Sequence, residues 1–290
     1  MRLRHQQIKT LDPRLINKKL EEFFQEDETD LDITTRATHS KAQFINAHFI
    51  AKEALIFAGK QILEQGLQDC VKRFIVEDGA VLDKGDIIAI FAGNSDIILN
   101  KERVLLNLIQ RLSGIASTTN LLTKKTNPLG IQLLDTRKTT PGLRLFEKYA
   151  VYVGGGTNHR FSLKEAVMIK DNHLVQDATI ESVVERAYKQ NPQKDIQLEV
   201  DNVQQLESAL KTNITSILLD NFNPKDIPRA IKQIRESENG KNIYIELSGG
   251  ITSDNIADYC IKGVDGISMG ALTHNIKSKD IGLDLQEGSL

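Results

Sequence analysis

Cysteine is scarce in this chain. Only Cys70 and Cys260 occur among 290 residues, too few and too far apart for a disulfide framework, and no CxxC or Cys/His spacing suggests zinc. Each stands alone in an apolar or amphipathic segment, so reduced, buried thiols in a cytoplasmic protein are the expectation. An excess of either charge is missing as well. The net charge is -2, which gives no support for a nucleic-acid or membrane-surface partner. Long hydrophobic runs are also absent: IIAIFAG and SILLD are of strand length and far too short to span a bilayer. The opening MRLRHQQIKTLDPRL is basic at first but has no apolar stretch behind it, so it does not read as a secretory signal. What remains, 40% hydrophobic and 26% charged, is an ordinary globular composition, with room for one large domain or two of usual size. Any anion-binding ability must come from local clusters.

The chain has two halves with different patterning. Up to about residue 112, helical and β patterns mix. LDPRLINKKLEEFFQED repeats apolar residues at helical spacing, and DLDITTRAT then reads as a turn. AQFINAHFIAKE, LQDCVKRFIVEDG and DIIAIFAG are β-like, with Gly/Asp punctuation between the last two. This half predicts an α+β unit with an antiparallel sheet. KERVLLNLIQRLSGIASTTNLLTKKT gives a long helix. From residue 131 strand, loop and helix alternate: IQLLD, AVMIK, IQLEVD, SILLD, IYIELS and GISMG are separated by amphipathic segments such as ESVVERAYKQ, NVQQLESALK, PKDIPRAIKQIRES and SDNIADYCIK. Continuous apolar strands of this kind are parallel and buried on both faces. Six of them fit an α/β barrel with fewer than eight strands better than a doubly wound sheet. Asp135, Lys170, Glu199, Asp220 and Ser248 each fall at or just past a strand's C-terminal end, the rim on which α/β sites are built.

Residues 133–173 carry seven Lys/Arg against four acids, a local positive excess inside a slightly negative chain. Lysines and arginines usually line a solvated face. Arg137, Lys138, Arg160 and Lys170 do not fit that reading, because they stand at strand ends or beside a glycine run. Arginine offers a planar fork for carboxylate or phosphate, and lysine a compact charge. Glycines in VGGGTNHR, ELSGGI and SMGALTH let backbone amides approach an anion, the last two where a strand meets a helix start. Glu199 and Asp220 could be helix N-caps, though Asp201 or Asn221 fits a cap better. On neighbouring strand ends they also suit ribose hydroxyls or Mg²⁺. Lys170 could instead be a Schiff-base lysine.

DTRKTTPGLR, EKYAV, GGGTNHR, IKDNH, LEVDN, LLDN, ELSGGI and GALTH occur in that order, preceded by DITT, a DG…KGD…G segment and ERVLLNLIQRLSGIAS. Together they cover nearly the whole chain and strongly resemble the quinolinate phosphoribosyltransferases, also called nicotinate-nucleotide pyrophosphorylases (carboxylating). The resemblance implies an α/β barrel of about six strands over residues 113–274, of the type II phosphoribosyltransferase kind. It also implies an α+β open-sandwich domain over 1–112, completed by the tail 275–290. The implied assembly is a cytoplasmic homodimer with shared active sites, with a trimer of such dimers left open. The implied reaction joins quinolinate to 5-phosphoribosyl-1-diphosphate and releases diphosphate and carbon dioxide. It leaves nicotinate mononucleotide, on the route to NAD.

By the same resemblance, Arg137 and Arg160, with Arg103 of a neighbouring subunit and with His159, would grip the quinolinate carboxylates. Thr136, Lys138 and Lys170 would lie by the substrates, Lys138 and Lys170 in catalytic roles. Glu199 and Asp220 would hold ribose hydroxyls, directly or through Mg²⁺, the implied cofactor. Ser248, Gly249 and Gly250, with Met269, Gly270 and Ala271, would bind the 5′-phosphate. The chain departs from the pattern in two places: Tyr152 stands where an arginine is expected, and His159-Arg160 runs on as Phe161-Ser162-Leu163. Three rivals follow from the residues: a paralogous transferase for another acceptor such as nicotinate, a Schiff-base aldolase on Lys170, and a phosphoribosyl-ligand sensor without turnover.

Overall fold

The computed structural model describes residues 5–38, 43–174 and 179–287. The basic start at residues 1–4 and the end of the tail, 288–290, lie outside them. The chain divides into two compact units, neither continuous in sequence. One holds residues 8–120, 145–155 and 276–290; the other holds the segment up to Gln7 together with 121–144 and 156–275.

In the first unit, strands β1 (Phe44–Ala51), β2 (Leu55–Ile56), β3 (Val71–Ile75), β4 (Val81–Leu82) and β5 (Ile87–Asn94) are short and antiparallel where paired. β1 alternates half-buried and buried positions along its length, as a strand with one face on a core must. Helix Pro13–Glu26 starts where Asp12 accepts from the Arg14 amide and a proline occupies the first turn. The segment expected to be a turn, DLDITTRAT, is instead a short helix over Ile33–Thr38. Asp32 explains it: its carboxylate takes the amides of Thr34 and Thr35 and the Thr35 hydroxyl, satisfying the first turn's free donors. The long helix runs over Ser95–Thr126, beginning six residues before its expected start.

The second unit is the expected six-stranded parallel sheet. Its strands are β6 (Gln132–Leu134), β7 (Val167–Ile169), β8 (Ile196–Val200), β9 (Ser216–Asp220), β10 (Tyr244–Ser248) and β11 (Gly266–Ser268), in spatial order β6-β11-β10-β9-β8-β7. Thr157 adds a parallel bridge to Leu134 at the β6 edge. All five residues of β8 are buried, as expected for a strand covered on both faces. One set of alternate residues, including Leu198, Ile217, Ile245 and Ile267, is apolar and wholly buried. The other set is mostly polar: Gln197 and Glu199 on β8, Ser216 and Asp220 on β9, Tyr244, Glu246 and Ser248 on β10, and Ser268 on β11, with Leu218 and Gly266 the exceptions. The barrel interior therefore carries the chemistry, and the opposite face carries the hydrophobic packing.

The tail closes the account of the first unit. Strand β12 (Ile281–Glu287) pairs antiparallel with β1, giving a four-stranded sheet of order β12-β1-β5-β3. Cys70 and Cys260 are free thiols, and both are half-exposed where burial was expected. No helix among the described residues is long and apolar enough to cross a membrane.

Candidate functional site

A cavity of about 350 Å³ opens at the C-terminal ends of the barrel strands. Its lining brings together most of the cations and acids singled out in the sequence: Thr136, Arg137 and Lys138 after β6, His159 and Arg160 beyond Thr157, Lys170 after β7, Glu199 on β8, Asp220 on β9, and Ser248 on β10. Met168, Leu218, Glu246 and Ser268 complete it.

The loops that carry the cations are fixed by side-chain clamps. The Thr136 hydroxyl accepts from the Lys138 amide at 3.0 Å, and the Thr273 hydroxyl donates to the Lys138 carbonyl at 2.7 Å. Arg144 holds the Thr139 hydroxyl at 3.0 Å and the Phe161 carbonyl at 3.3 Å. Asp135, read from the sequence as a rim residue, is wholly buried and does not line the cavity. Its carboxylate accepts from the His159 amide at 2.8 Å and the Asn158 side chain at 2.7 Å, so it anchors the His159–Arg160 loop.

The cationic side of the cavity leaves guanidinium donors unused. Burial, and then the neighbouring Arg137, push the Arg160 guanidinium below the ordinary arginine value. The Arg160 guanidinium donates to the Ala166 carbonyl at 2.9 Å. Arg137 has its Nε buried with no hydrogen-bond partner among the described residues, which leaves a donor without compensation. Two guanidinium forks with spare donors beside each other call for an anion with several acceptor oxygens.

The opposite side has the reverse imbalance. Glu199, Asp201 and Asp220 can bring ligand oxygens within 4.8 Å of one another. Burial first raises the Glu199 carboxyl, with Asp220 and Asp201 adding to it and Lys170 opposing. Burial and then Asp220 and Asp171 raise Asp201. Lys170 bridges the two sides, its ammonium 2.5 Å from Glu199. An all-oxygen set of crowded carboxylates suits a hard cation such as Mg²⁺. Asp201 was expected as a helix cap; Asn202 takes that place, accepting from the Gln205 amide at 2.9 Å. Asn221 is no cap either. It sits at φ +55° and donates to Asp220 at 2.7 Å.

Gly249 and Gly250 follow Ser248 with φ of +90° and +61°. A Cβ on Gly249 would lie 2.3 Å from the Asn221 side chain, so the chain needs glycine there for both conformation and space. Asn255 closes this loop by donating to the Gly250 carbonyl and accepting from the Thr252 amide. The helices after the two glycine loops, Ile256–Tyr259 and Ala271–His274, are only four residues long. The amides there belong to turns more than to the strong helix ends expected. Gly249, Gly250, Met269, Gly270 and Ala271 do not line the cavity wall but continue directly from Ser248 and Ser268, which do.

Two further expected residues stand elsewhere. Arg103 belongs to the other unit, where its side chain is 62% exposed. There it borders a separate recess with Asp27, Glu28, Leu31, Asp32 and Ile33. Tyr152 is half-buried on the helix Arg144–Val153 and does not line the cavity. The residues that sequence reasoning missed, Gln197, Asp201, Glu246 and Ser268, had a signal: period-two polar positions inside otherwise apolar strands, or an acid one step beyond a strand end.

Comparison with known proteins matches both halves. Residues 32–113 match the family described as Quinolinate phosphoribosyl transferase, N-terminal domain, and residues 115–284 match its C-terminal domain. A probable nicotinate-nucleotide pyrophosphorylase [carboxylating] of Bacillus subtilis is 39% identical over 93% of each chain. A protein of the same description from Methanocaldococcus jannaschii is 41% identical over 88% of this chain and 91% of its own. The solved structure of the nicotinate-nucleotide pyrophosphorylase from Francisella tularensis superposes with a TM-score of 0.90 at 33% identity, covering 98% of this chain and all of that one.

Proposed function

The chain belongs to the quinolinate phosphoribosyltransferase family, and on that premise we propose how the barrel cavity carries the family's reaction. The enzyme transfers a phosphoribosyl group from 5-phosphoribosyl-1-diphosphate to the ring nitrogen of quinolinate. The products are nicotinate mononucleotide, diphosphate and carbon dioxide, a step in NAD biosynthesis. The observation that carries this reading is the cavity's division into an anion-hungry side and a carboxylate side.

Quinolinate brings two carboxylates on adjacent ring carbons. The uncompensated forks of Arg137 and Arg160 receive them and hold the ring nitrogen towards the reacting carbon of the sugar, so that attack is a matter of positioning. Departure of diphosphate leaves positive charge on the ribose, and the Glu199 and Asp220 carboxylates stand where that charge and the ribose hydroxyls would lie. Lys138 and Lys170 balance the diphosphate. Ser248, Gly249, Gly250, Met269, Gly270 and Ala271 receive the 5′-phosphate on their turn amides. Mg²⁺ fits beside Glu199, Asp201 and Asp220, and when bound there it neutralises charge on the departing diphosphate. The ion pair with Glu199 gives Lys170 a charge-balancing role; an ammonium held in this way has no lone pair with which to attack a carbonyl, which disfavours the Schiff-base reading.

Arg103 completes the acid site from a second copy of the chain. Its exposure, and the exposed Leu31 and Ile33 around the same recess, support an interface there. The cytoplasm is the compartment that fits two free thiols.

The test is one assay. Purified protein receives Mg²⁺, 5-phosphoribosyl-1-diphosphate and either quinolinate or nicotinate, and both nicotinate mononucleotide and carbon dioxide are followed. Product from quinolinate with matching carbon dioxide is expected. Product from nicotinate alone would move the chain to the paralogous transferases, and binding of both substrates without product would make it a sensor.

A further inference from the structure

We infer that Gln197 and Glu246 are positioning residues that fix the tautomer of His159 and, through its ring, brace Arg160. The inference rests on the cavity being the quinolinate site.

The imidazole of His159 has two nitrogens, and the structure gives each a partner. Nδ1 accepts from the Arg160 amide at 2.8 Å. A nitrogen that accepts carries no proton, so in the neutral ring the proton sits on Nε2. Nε2 faces Gln197 Oε1 at 3.2 Å, and Glu246 Oε2 lies 3.5 Å from it. The amide of Gln197 has an oxygen at one end and a donor at the other, and its donor end reaches Glu246 Oε2 at 2.8 Å. A carboxylate can only accept, so Glu246 fixes which way the amide points, and the amide fixes which nitrogen of His159 is protonated. With the proton on Nε2, the direction of donation runs Arg160 amide, His159, Gln197, Glu246, and Glu246 stands close enough to His159 to favour the same tautomer.

The burial of these groups makes the arrangement rigid. Arg160 is 7% exposed, His159 5%, Gln197 3% and Glu246 0%. A bond lost among groups this buried is costly, and a reversed amide would set two donors or two acceptors against each other. The ring is held on its other sides too. His5 stacks on it with centroids 4.4 Å apart, and Asp135 takes its backbone amide. The segment behind His5 grips the same loop, with Gln7 bonded to the Asn158 amide and carbonyl and the Gln6 amide to Glu165. Such a frame makes sense where the next residue is Arg160, whose fork must meet a planar carboxylate within a fraction of an ångström. Glu246 also lines the cavity beside Ser268, and its Oε1 is buried with no close hydrogen-bond partner among the described residues. A carboxylate in such a place, kept close to an anion's pocket, is explained by what its other oxygen holds.

The relay requires an acceptor at position 246 and not a charge, and this separates it from a purely structural or purely electrostatic role. The amide oxygen of Glu246→Gln still accepts from Gln197, whereas Glu246→Leu and Gln197→Met break the chain while keeping the volume. The first measurement uses the unaltered, ligand-free protein: nitrogen-15 NMR of the histidine rings, with His159 assigned by its absence in His159→Gln. The Nε2–H tautomer is expected, and the Nδ1–H tautomer would overturn the inference whether or not any variant folds. The second is the dissociation constant of each substrate. Glu246→Leu and Gln197→Met should weaken quinolinate by about tenfold, the scale of one well-placed hydrogen bond, with 5-phosphoribosyl-1-diphosphate little changed. Glu246→Gln should retain most of the affinity for both. Equal losses for the two substrates, or a Glu246→Gln protein as impaired as Glu246→Leu, would also overturn it. If the unaltered protein fails to bind quinolinate, the assignment of the cavity falls instead, independently of the tautomer.

Discussion

Carboxylates crowded at strand ends leave a measurable trace in how the fold responds to acid. Glu199 and Asp201 are raised above their ordinary values of 4.5 and 3.8, by burial first and by their acidic neighbours second. A raised carboxyl is protonated more readily in the folded chain than in the unfolded one, so ionising it costs stability. That cost is absent below the unfolded values, grows as pH climbs from them to the raised ones, and is fully present above those. A cation between the carboxylates removes it. Mg²⁺ should therefore raise the melting temperature of the protein at about pH 7.5 by roughly 2–4 °C per kcal/mol of binding, and by less at about pH 5. Asp201→Asn should respond less than the unaltered chain. Thermal melts with and without Mg²⁺ at both pH values check this, and an identical response from Asp201→Asn would remove Asp201 from the cation's surroundings. The residues at the rim were legible in the sequence because each is a polar side chain ending an apolar run. Glu246 and Gln197 show in the sequence only as polar positions inside apolar strands, and their partners, each other and His159, come from segments far away in sequence.

At the scale of elements, the alternation of strand and helix was plain because parallel strands covered on both faces must be apolar throughout. What escaped were pieces whose stability comes from a single distant or local side chain. Helix Ile33–Thr38 depends on Asp32. Helix Lys60–Gly66, absent from the expectations, depends on Asp78, which accepts from the Gly59 and Lys60 amides at 2.6 and 2.9 Å. The same carboxylate takes the Tyr149 hydroxyl at 2.5 Å. Burial first, and then the Asp78 charge, push the Tyr149 phenol far up, so it remains a donor at any working pH. Asp78→Ala removes a helix cap and leaves a buried phenol unpaired. It should cost about 2 kcal/mol, read as a lower urea midpoint with an unchanged slope. A loss no larger than that of Tyr149→Phe would mean that the cap contributes nothing.

For the whole molecule, the sequence suggests a boundary near residue 112, the place where the two family matches meet, while the compact units alternate along the sequence. The long helix Ser95–Thr126 contributes its residues to 120 to one unit and the rest to the other, and residues 145–155 return to the first. Patterning along the chain reports what each segment is, not which distant segment it joins. The proposal that Arg103 serves a second copy is tested at this scale. Mixing Arg103→Ala with Lys170→Ala subunits, each inactive alone, should restore partial activity, because a mixed pair carries one site with both residues intact. If the subunits exchange and no activity returns, Arg103 acts within its own chain or not at all.

The pairing of β1 with β12 sets an order of events during synthesis. Ala51 pairs with Ile281 and Ile45 with Glu287, so the first strand of the sheet leaves the ribosome long before its outer neighbour exists. Until then the nascent chain presents an open row of amides and carbonyls, the surface from which strand-to-strand aggregation begins. The sheet is thus sealed only once β12 has been made, and a growing polypeptide halted before β12 keeps that edge open.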